Sequence, residues 1–432
     1  MNEKYRILII SNECLSTSSS NGRTLRNFLL GWPKECIAQF FLKSAEPDYD
    51  VCENYFHITD KQAIRAFLGK KSEIIVGEKI VSHSKDDLSG STPSKRNALT
   101  MFIRDVIWES GRWKGKVFNQ WLDEYNPELI LLQAGDNGFT LKLARDISIK
   151  RNIPLVIYNS ENFYFKKYDY FRSSGVPHLF YPVYRKHFCH QFEKTIKIAN
   201  KSIYICDMLQ NDYDQAFGYP SETIYTATEM TKRKDSDSKQ KFTVSYLGNF
   251  GVGRYETLVE IADVLQTISS DCFLDVYGKI PNDIVREAFD KCTGIRYKGF
   301  VSYEECVHIM HHSDLLIHAE NFSTFFREGL KRAFSTKLAD SLASGTCFLL
   351  YAPEEIACSQ YLIKNNAAYV ATSKKELRDT LKLLYEHPGA RQVHIDEACK
   401  LIAHNHDADK NSKRFQRILI DEAQNGKRGT DI

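Results

Sequence analysis

The 432-residue chain predicts an α/β fold of two Rossmann-like domains facing across a cleft. Three observations carry this. Short apolar runs alternate with segments of helical periodicity along nearly the whole length. The rhythm stops at one polar stretch, 231–241 (TKRKDSDSKQK), and restarts after it, as two domains joined by a linker would read. Loops rich in Gly, Ser and Thr follow several apolar runs and lead into helices, which is where open α/β sheets bind ligands.

In the first half the spacing predicts strands at 6–11, 128–134, 154–160 and 201–207, with helices at 21–32, 97–125 and 139–152. The long helical stretch is broken near Gly111, and Trp108, Trp113 and Trp121 read as packing residues. In the second half strands are predicted at 242–248, 272–278, 295–300, 314–320, 346–352 and 367–372. Helices fall at 253–268, 281–291, 302–312, 335–344 and 374–386. The domain limits that follow are 1–230, a linker at 231–241, 242–400, and a helical segment 401–432 that crosses back to the first domain before a fraying tail.

Bulk properties narrow the function classes. A chain that is 43% hydrophobic buries sizeable cores. The net charge of +3 argues against nucleic-acid binding driven by bulk charge. Eleven cysteines, with no C-x-x-C pair, read as free thiols in a reducing compartment. The start MNEKYRILIIS runs directly into a strand without a signal-peptide pattern, and no apolar run reaches the roughly 18 residues of a spanning helix. A cytoplasmic protein is expected.

The stretch 334–345 (FSTKLADSLASG) lies between two core strands and opens with hydroxyls and a lysine. Free N–H groups at the helix start, Ser335, Thr336 and the charge of Lys337 would together suit a phosphate or diphosphate. Asp340 is placed to accept ribose hydroxyls. The plainer alternative is a core helix capped by Ser335. A second anion candidate is the loop 248–253 (GNFGVG), which contains Gly248 and leads into a helix at Arg254; its glycines do not fit G-x-G-x-x-G. A third is 11–24, rich in hydroxyl residues before Gly22 and Arg23. Glu320 stands at the carboxyl end of its strand, aimed at the cleft. The histidines of HIMHH (His308, His311, His312) have a metal-compatible spacing, but no acid or thiol is aimed at them, and a surface helix end is the better reading. His187 and His190 are read the same way. The segment 161–188 mixes aromatic and basic residues, suited to an acceptor glycan, an anionic membrane surface, or simple packing as a flap.

Taken together, 244–265, 274–281, 295–320 and above all 334–355 resemble the C-terminal domain of GT-B glycosyltransferases. They are most similar to family 4 and its relatives in bacterial surface-polysaccharide synthesis. The resemblance implies a nucleotide-diphosphate sugar donor, a glycan or lipid-linked acceptor, no metal or other cofactor, retention of anomeric configuration, and a peripheral position at the membrane. It implies Glu320, Arg254 and Lys337 as catalytic residues. Gly22, Arg23, Gly248, Ser335, Thr336 and Asp340 would bind the donor, and Asp136, Asn137, Glu161 and Tyr164 the acceptor. The pattern departs from the family at its E-x7-E motif. Asp340 matches the second acid, but eight residues before it stands Arg332, and Glu320 with Glu328 has the spacing elsewhere. The strand at 154–160 also leads into Asn159, Ser160 and Glu161 where many relatives carry a histidine. Two rival readings follow: a nucleotide-sugar epimerase of the same fold, and a non-catalytic nucleotide-sugar or glycan-binding protein. Donor turnover separates the latter from a transferase.

Overall fold

The computed structural model describes residues 5–428 except 18, 44, 71–74, 77–95, 172 and 234–240. Most of the polar stretch expected as a linker therefore lies outside the described residues. The chain divides into two compact units, Met1–Tyr225 with Asp409–Ile432, and Thr226–Ala408. Residues 226–230 and 401–408 thus pack with the second unit.

The first unit holds β1 (Ile7–Ile10), β2 (Ile37–Phe41), β3 (Asn54–His57), β4 (Ile75–Val76), β5 (Leu129–Gln133), β6 (Leu155–Asn159), β7 (Lys201–Tyr204) and β8 (Ser221–Thr223), in the order β4-β3-β2-β1-β5-β6-β7-β8. Among the described residues, only the edge pair β3–β4 is antiparallel. The second unit holds β9 (Val244–Leu247), β10 (Leu274–Tyr277), β11 (Ile295–Gly299), β12 (Leu315–Ala319), β13 (Cys347–Tyr351) and β14 (Tyr369–Ala371), all parallel, in the order β11-β10-β9-β12-β13-β14. Central strands such as β1, β5, β12 and β13 are buried along their whole length. Parallel strands covered by helices on both faces need apolar residues at successive positions, hence the continuous runs ILII, LILL and FLLY.

In each sheet the strand order reverses at one place: between β1 and β5 in the first, between β9 and β12 in the second. At such a switch point the connections leave to opposite faces and open a crevice at the carboxyl ends of the strands.

One face of the first sheet is covered by helices Ser20–Phe28 and Ala408–Arg428, with Phe28 stacked on Phe415 at 4.7 Å and Tyr158 edge-on to both. The C-terminal helix is thereby part of the first unit's core. The break near Gly111 separates Ala98–Glu109 from Gly115–Tyr125, and the three tryptophans beside it are buried.

The structure adds strands β2, β3, β4 and β8 to those the sequence pattern gave. Asn54–His57 and Ser221–Thr223 are short and carry polar residues, so periodicity alone passes over them. The segment 320–334, between the strand expected at 314–320 and the helix expected at 335–344, contains helix Thr324–Leu330, and that expected helix runs only from Lys337 to Ala343. Gly345 ends it with φ +72°, where a side chain would strike Lys232. Among the described residues no helix is long and apolar enough to cross a membrane.

Candidate active site

At the second switch point the loop after β9 meets the end of β12. The Tyr246 hydroxyl donates to the Asn249 carbonyl at 2.6 Å and holds the loop back over its strand. A Cβ at Gly248 would lie 2.5 Å from that hydroxyl, which accounts for the glycine. Val252 has φ +56°, unusual for a β-branched residue. Gly253 follows at φ +72°, where a Cβ would come within 2.6 Å of both Asn321 and Phe326. The loop is thus forced tightly against the end of β12, at a backbone cost of order 1–3 kcal/mol at Val252.

This brings Arg254 onto Glu320. Arg254 Nη2 donates to Glu320 Oε1 at 2.7 Å, and Nη1 donates to Asn249 Oδ1 at 2.7 Å. His318, two residues earlier on β12, donates from Nε2 to the same Oε1 at 3.2 Å, and its ring stacks on Tyr246. The pair is nearly dry, with the side chains of Arg254 and Glu320 only 12% and 4% exposed. Burial pushes the Glu320 carboxyl up, but the Arg254 charge and the His318 contact outweigh it and leave it below the usual carboxylate range. Glu320 is therefore ionised at neutral pH. Two atoms here lack partners among the described residues: Arg254 Nε and Glu320 Oε2. Unmade hydrogen bonds on a buried ion pair are expensive, at about 1–3 kcal/mol or more each, and mark a place where a polar ligand fits. Arg254 also begins helix Arg254–Ile268, whose start has no side-chain cap.

The other expected donor residues lie nearby in sequence but are differently engaged. Ser335 and Thr336 are half-buried and Lys337 is exposed. Thr336 takes the N-cap position, the helix start has no side-chain cap, and the Ser335 N–H donates to Cys358 Sγ. Asp340, expected on a ribose, accepts a hydrogen bond from Thr228 Oγ1, and Thr228 pairs as a parallel bridge with Asp407. Glu328 is exposed on helix Thr324–Leu330, away from the buried Glu320, so the family spacing between them joins two different environments. His308 and His312 stack on one another at 3.9 Å, and among the described residues no His, Cys, Asp or Glu group is arranged to hold a metal ion.

In the first unit Gly22 lies inside helix Ser20–Phe28, where a Cβ would come 2.3 Å from the Cys14 carbonyl. The glycine there answers a packing need. Arg23, next to it, is half-buried. Asp136 is ion-paired to Arg96, and its carbonyl accepts from the Tyr184 hydroxyl. Asn137 exchanges hydrogen bonds with Asn12 across the switch point. Tyr164 donates to Glu193 Oε1 at 2.7 Å with its ring among Phe192, Tyr213 and Phe217. Glu161 is exposed. His187, set aside as a surface residue, instead contacts Glu109 at 2.8 Å and lies 3.9 Å from the fully buried Asp105, which caps helix Gly138–Arg151 through the Gly138 N–H.

Residues 262–417 match the family model described as glycosyl transferase-like. The match spans most of the second unit. Solved structures similar over nearly the whole chain include WaaG, a glycosyltransferase involved in lipopolysaccharide biosynthesis (TM-score 0.60, 11% identity, 96% of this chain and 99% of that one). Anabaena HepE in complex with UDP-glucose gives TM-score 0.61 at 12% identity, covering 96% and 100%. A glycosyltransferase from Rickettsia africae gives TM-score 0.61 at 10% identity, covering 98% and 99%. The chain has the GT-B glycosyltransferase fold. The match to the glycosyl transferase-like model falls on its second unit and the start of the C-terminal helix. No curated protein sequence matches the chain.

His318, Asn249 and Asn321 belong to the site and escaped the sequence reading. Asn321 donates to the Gly253 carbonyl and to Glu256, tying the β12 end to the helix start. A polar residue within the apolar run LLIHA was the available signal for His318.

Proposed function

We propose that the protein transfers a sugar from a nucleotide-diphosphate sugar to a glycan or lipid-linked acceptor. The second unit holds the donor. The observation that carries this reading is the buried Arg254–Glu320 pair at the second switch point, with one unpartnered atom on each residue. HepE, a similar fold, has been solved with UDP-glucose. Breaking the bond between sugar and phosphate develops negative charge on the diphosphate leaving group. A fixed guanidinium and an uncapped helix start stabilise that charge without reorganising. Arg254 Nε supplies the free donor. Glu320 Oε2 supplies a free acceptor for a sugar hydroxyl, and His318 with Arg254 keeps it ionised for that task. Lys337, exposed in this unit, adds a second positive charge to the diphosphate.

The finer parts of the reading are retention of configuration, action without a metal, and a place in surface-polysaccharide synthesis. They rest on the family resemblance and on the role printed for WaaG. Contact with a membrane surface is supported by Val176, Leu179 and Val183. Val176 and Leu179 are on helix Val176–Leu179 and Val183 is in the first turn of the next helix, Tyr181–Ile196; they expose 62%, 72% and 45% of their surface, and the exposed Lys186 follows on that second helix.

The test is donor turnover. With chelator present, the chain should hydrolyse or transfer from one of a panel of UDP-, GDP- and ADP-sugars, and Arg254→Ala should abolish this. Binding of the matching nucleoside diphosphate with no turnover of any sugar donor, whatever acceptor extract is added, would overturn the catalytic part.

A further inference from the structure

Three titratable side chains of the first unit converge where three helices meet. Asp105 and Glu109 stand one turn apart on helix Ala98–Glu109, and His187 reaches them from helix Tyr181–Ile196. His187 Nε2 lies 2.8 Å from Glu109 Oε1 and 3.9 Å from Asp105 Oδ2, so one ring nitrogen faces two carboxyl groups. Asp105 is fully buried, and the side chains of Glu109 and His187 are only 16% and 20% exposed. Asp105 also accepts the Gly138 N–H at 3.0 Å and the Phe139 N–H at 3.4 Å, which caps helix Gly138–Arg151.

Gly138 marks the meeting point. A Cβ there would lie 3.0 Å from Asp105 Oδ2 and 3.2 Å from both His187 Cδ2 and Gln191 Cγ. Helix Tyr181–Ile196 makes a second attachment one turn earlier, where the Tyr184 hydroxyl donates to the Asp136 carbonyl. Asp136 and Gly138 flank Asn137, so the two attachments together hold the loop that follows β5.

The charges packed around the cluster leave His187 as its cation. Arg104, on the same helix, is committed to Asp60 of helix Asp60–Phe67 at 2.7 Å. From helix Gly138–Arg151, Arg145 donates to Gln191 Oε1 at 2.9 Å and lies 4.0 Å from Asp146. On helix Val176–Leu179, His178 pairs with Asp169. Tyr184 is neutral, since burial pushes its hydroxyl well above the ordinary range. Burial likewise raises the Asp105 carboxyl from 3.8 to about 7, and the hydrogen bond to Glu109 raises the His187 imidazole above 6.5. In weakly acid solution a neutral Asp105 leaves the imidazolium to Glu109. As pH rises past 7 the imidazolium charge is lost while a second carboxylate appears in a space without water to solvate it.

We propose that Asp105, Glu109 and His187 form a pH-sensitive clamp on the loop after β5, closed in weakly acid solution and released above neutrality, when helix Tyr181–Ile196 lifts from the helix start at Gly138 and Tyr184 leaves the Asp136 carbonyl. The clamp does not rest on the transferase reading. Its sign follows from linkage: both groups hold their protons more tightly when it is closed, so raising the pH favours the open form.

The experiment is hydrogen exchange of the full chain, read by mass spectrometry at pH 5, 6, 7 and 8 and corrected for the intrinsic exchange rate of each amide. Opening that releases the Asp105 proton should become about tenfold more frequent per pH unit between pH 5 and 7 and level off by pH 8, in residues 138–142 and 184–190 together. Strands β12 and β13 should show no such rise. Asp105→Asn keeps an acceptor for the Gly138 N–H and carries no charge, so the slope between pH 5 and 6 should vanish. If that variant does not fold, Glu109→Gln removes the other carboxylate from a partly exposed position and should reduce opening at pH 8 by about tenfold, the equivalent of one pKa unit. A flat profile in the parent chain, a rise confined to 138–142, the parent's slope in Asp105→Asn, or unchanged opening at pH 8 in Glu109→Gln would overturn the proposal.

Discussion

The two units present the same architectural feature, a switch point at the carboxyl edge of a parallel sheet, with opposite chemistry. In the second unit the edge holds a desolvated ion pair, Arg254 with Glu320, steadied by His318. In the first it holds the carboxamides of Gln133, Asn159 and Asn162, with nearby charges such as Asp136 and Glu13 already neutralised by partners. The topology fixes where a ligand can sit; the residues at the strand ends fix what it can be. A charged edge of low dielectric suits a diphosphate.

The comparison breaks most sharply if the ion pair is dismantled. Arg254→Ala leaves a buried carboxylate alone and should cost about 3–5 kcal/mol of stability, with nucleoside diphosphate binding reduced by tenfold or more. The double variant Arg254→Met/Glu320→Leu should recover most of that stability in a denaturant melt while leaving nucleotide binding lost. If the double variant binds UDP normally, the pair is merely structural. A comparable stability loss, about 3–5 kcal/mol, is expected for Phe415→Ala, which removes a fully buried ring stacked on Phe28. It should leave UDP binding per folded molecule unchanged.

The units should also answer pH in opposite directions. His406, buried in the second unit, donates from Nδ1 to the Thr226 carbonyl and accepts the Tyr361 hydroxyl at Nε2, and burial lowers its pKa from 6.5 to about 4. The unfolded chain binds the proton first, so this contribution is full above pH 6.5 and is lost as pH falls towards 4. That amounts to about 3 kcal/mol if the whole shift is expressed. Asp105, fully buried in the first unit, has its carboxyl pushed up from 3.8 to about 7. Its folded form holds the proton longer, so its contribution is present at low pH and is lost as pH rises towards 7. Calorimetry at pH 4, 5 and 8 should show His406→Gln flattening the loss as pH falls below 6.5 and Asp105→Asn flattening the loss as pH rises from 3.8 to 7. Unchanged slopes in both variants would contradict these assignments. The smallest effect is expected at Val252, where Val252→Gly relieves a positive φ on an exposed side chain and should raise stability by up to about 1 kcal/mol.

The legibility of these features in the sequence follows from their physics. Apolar runs such as ILII and FLLY announce buried parallel strands because every residue in them is covered, and Arg254 and Glu320 stood out because each ends or begins an element. What brings them together, the positive-φ bend at Val252–Gly253 and the grip of Asn321, is three-dimensional and left only GVG in the sequence. Asp340 shows the reverse: its family position is clear in sequence, while its hydrogen bond from Thr228 arises from a segment far away along the chain. Gln133 and Asn162 drew no reading because Asn and Gln at or just past a strand end read as ordinary turn chemistry, and only burial without partners among the described residues distinguishes them.

The most direct measurement is calorimetric titration of UDP, GDP and ADP into the chain and into Arg254→Ala, with chelator present. One diphosphate should bind the parent chain, and the variant should bind it at least tenfold more weakly while remaining folded. Equal binding by the two proteins would show that the diphosphate does not sit at the second switch point.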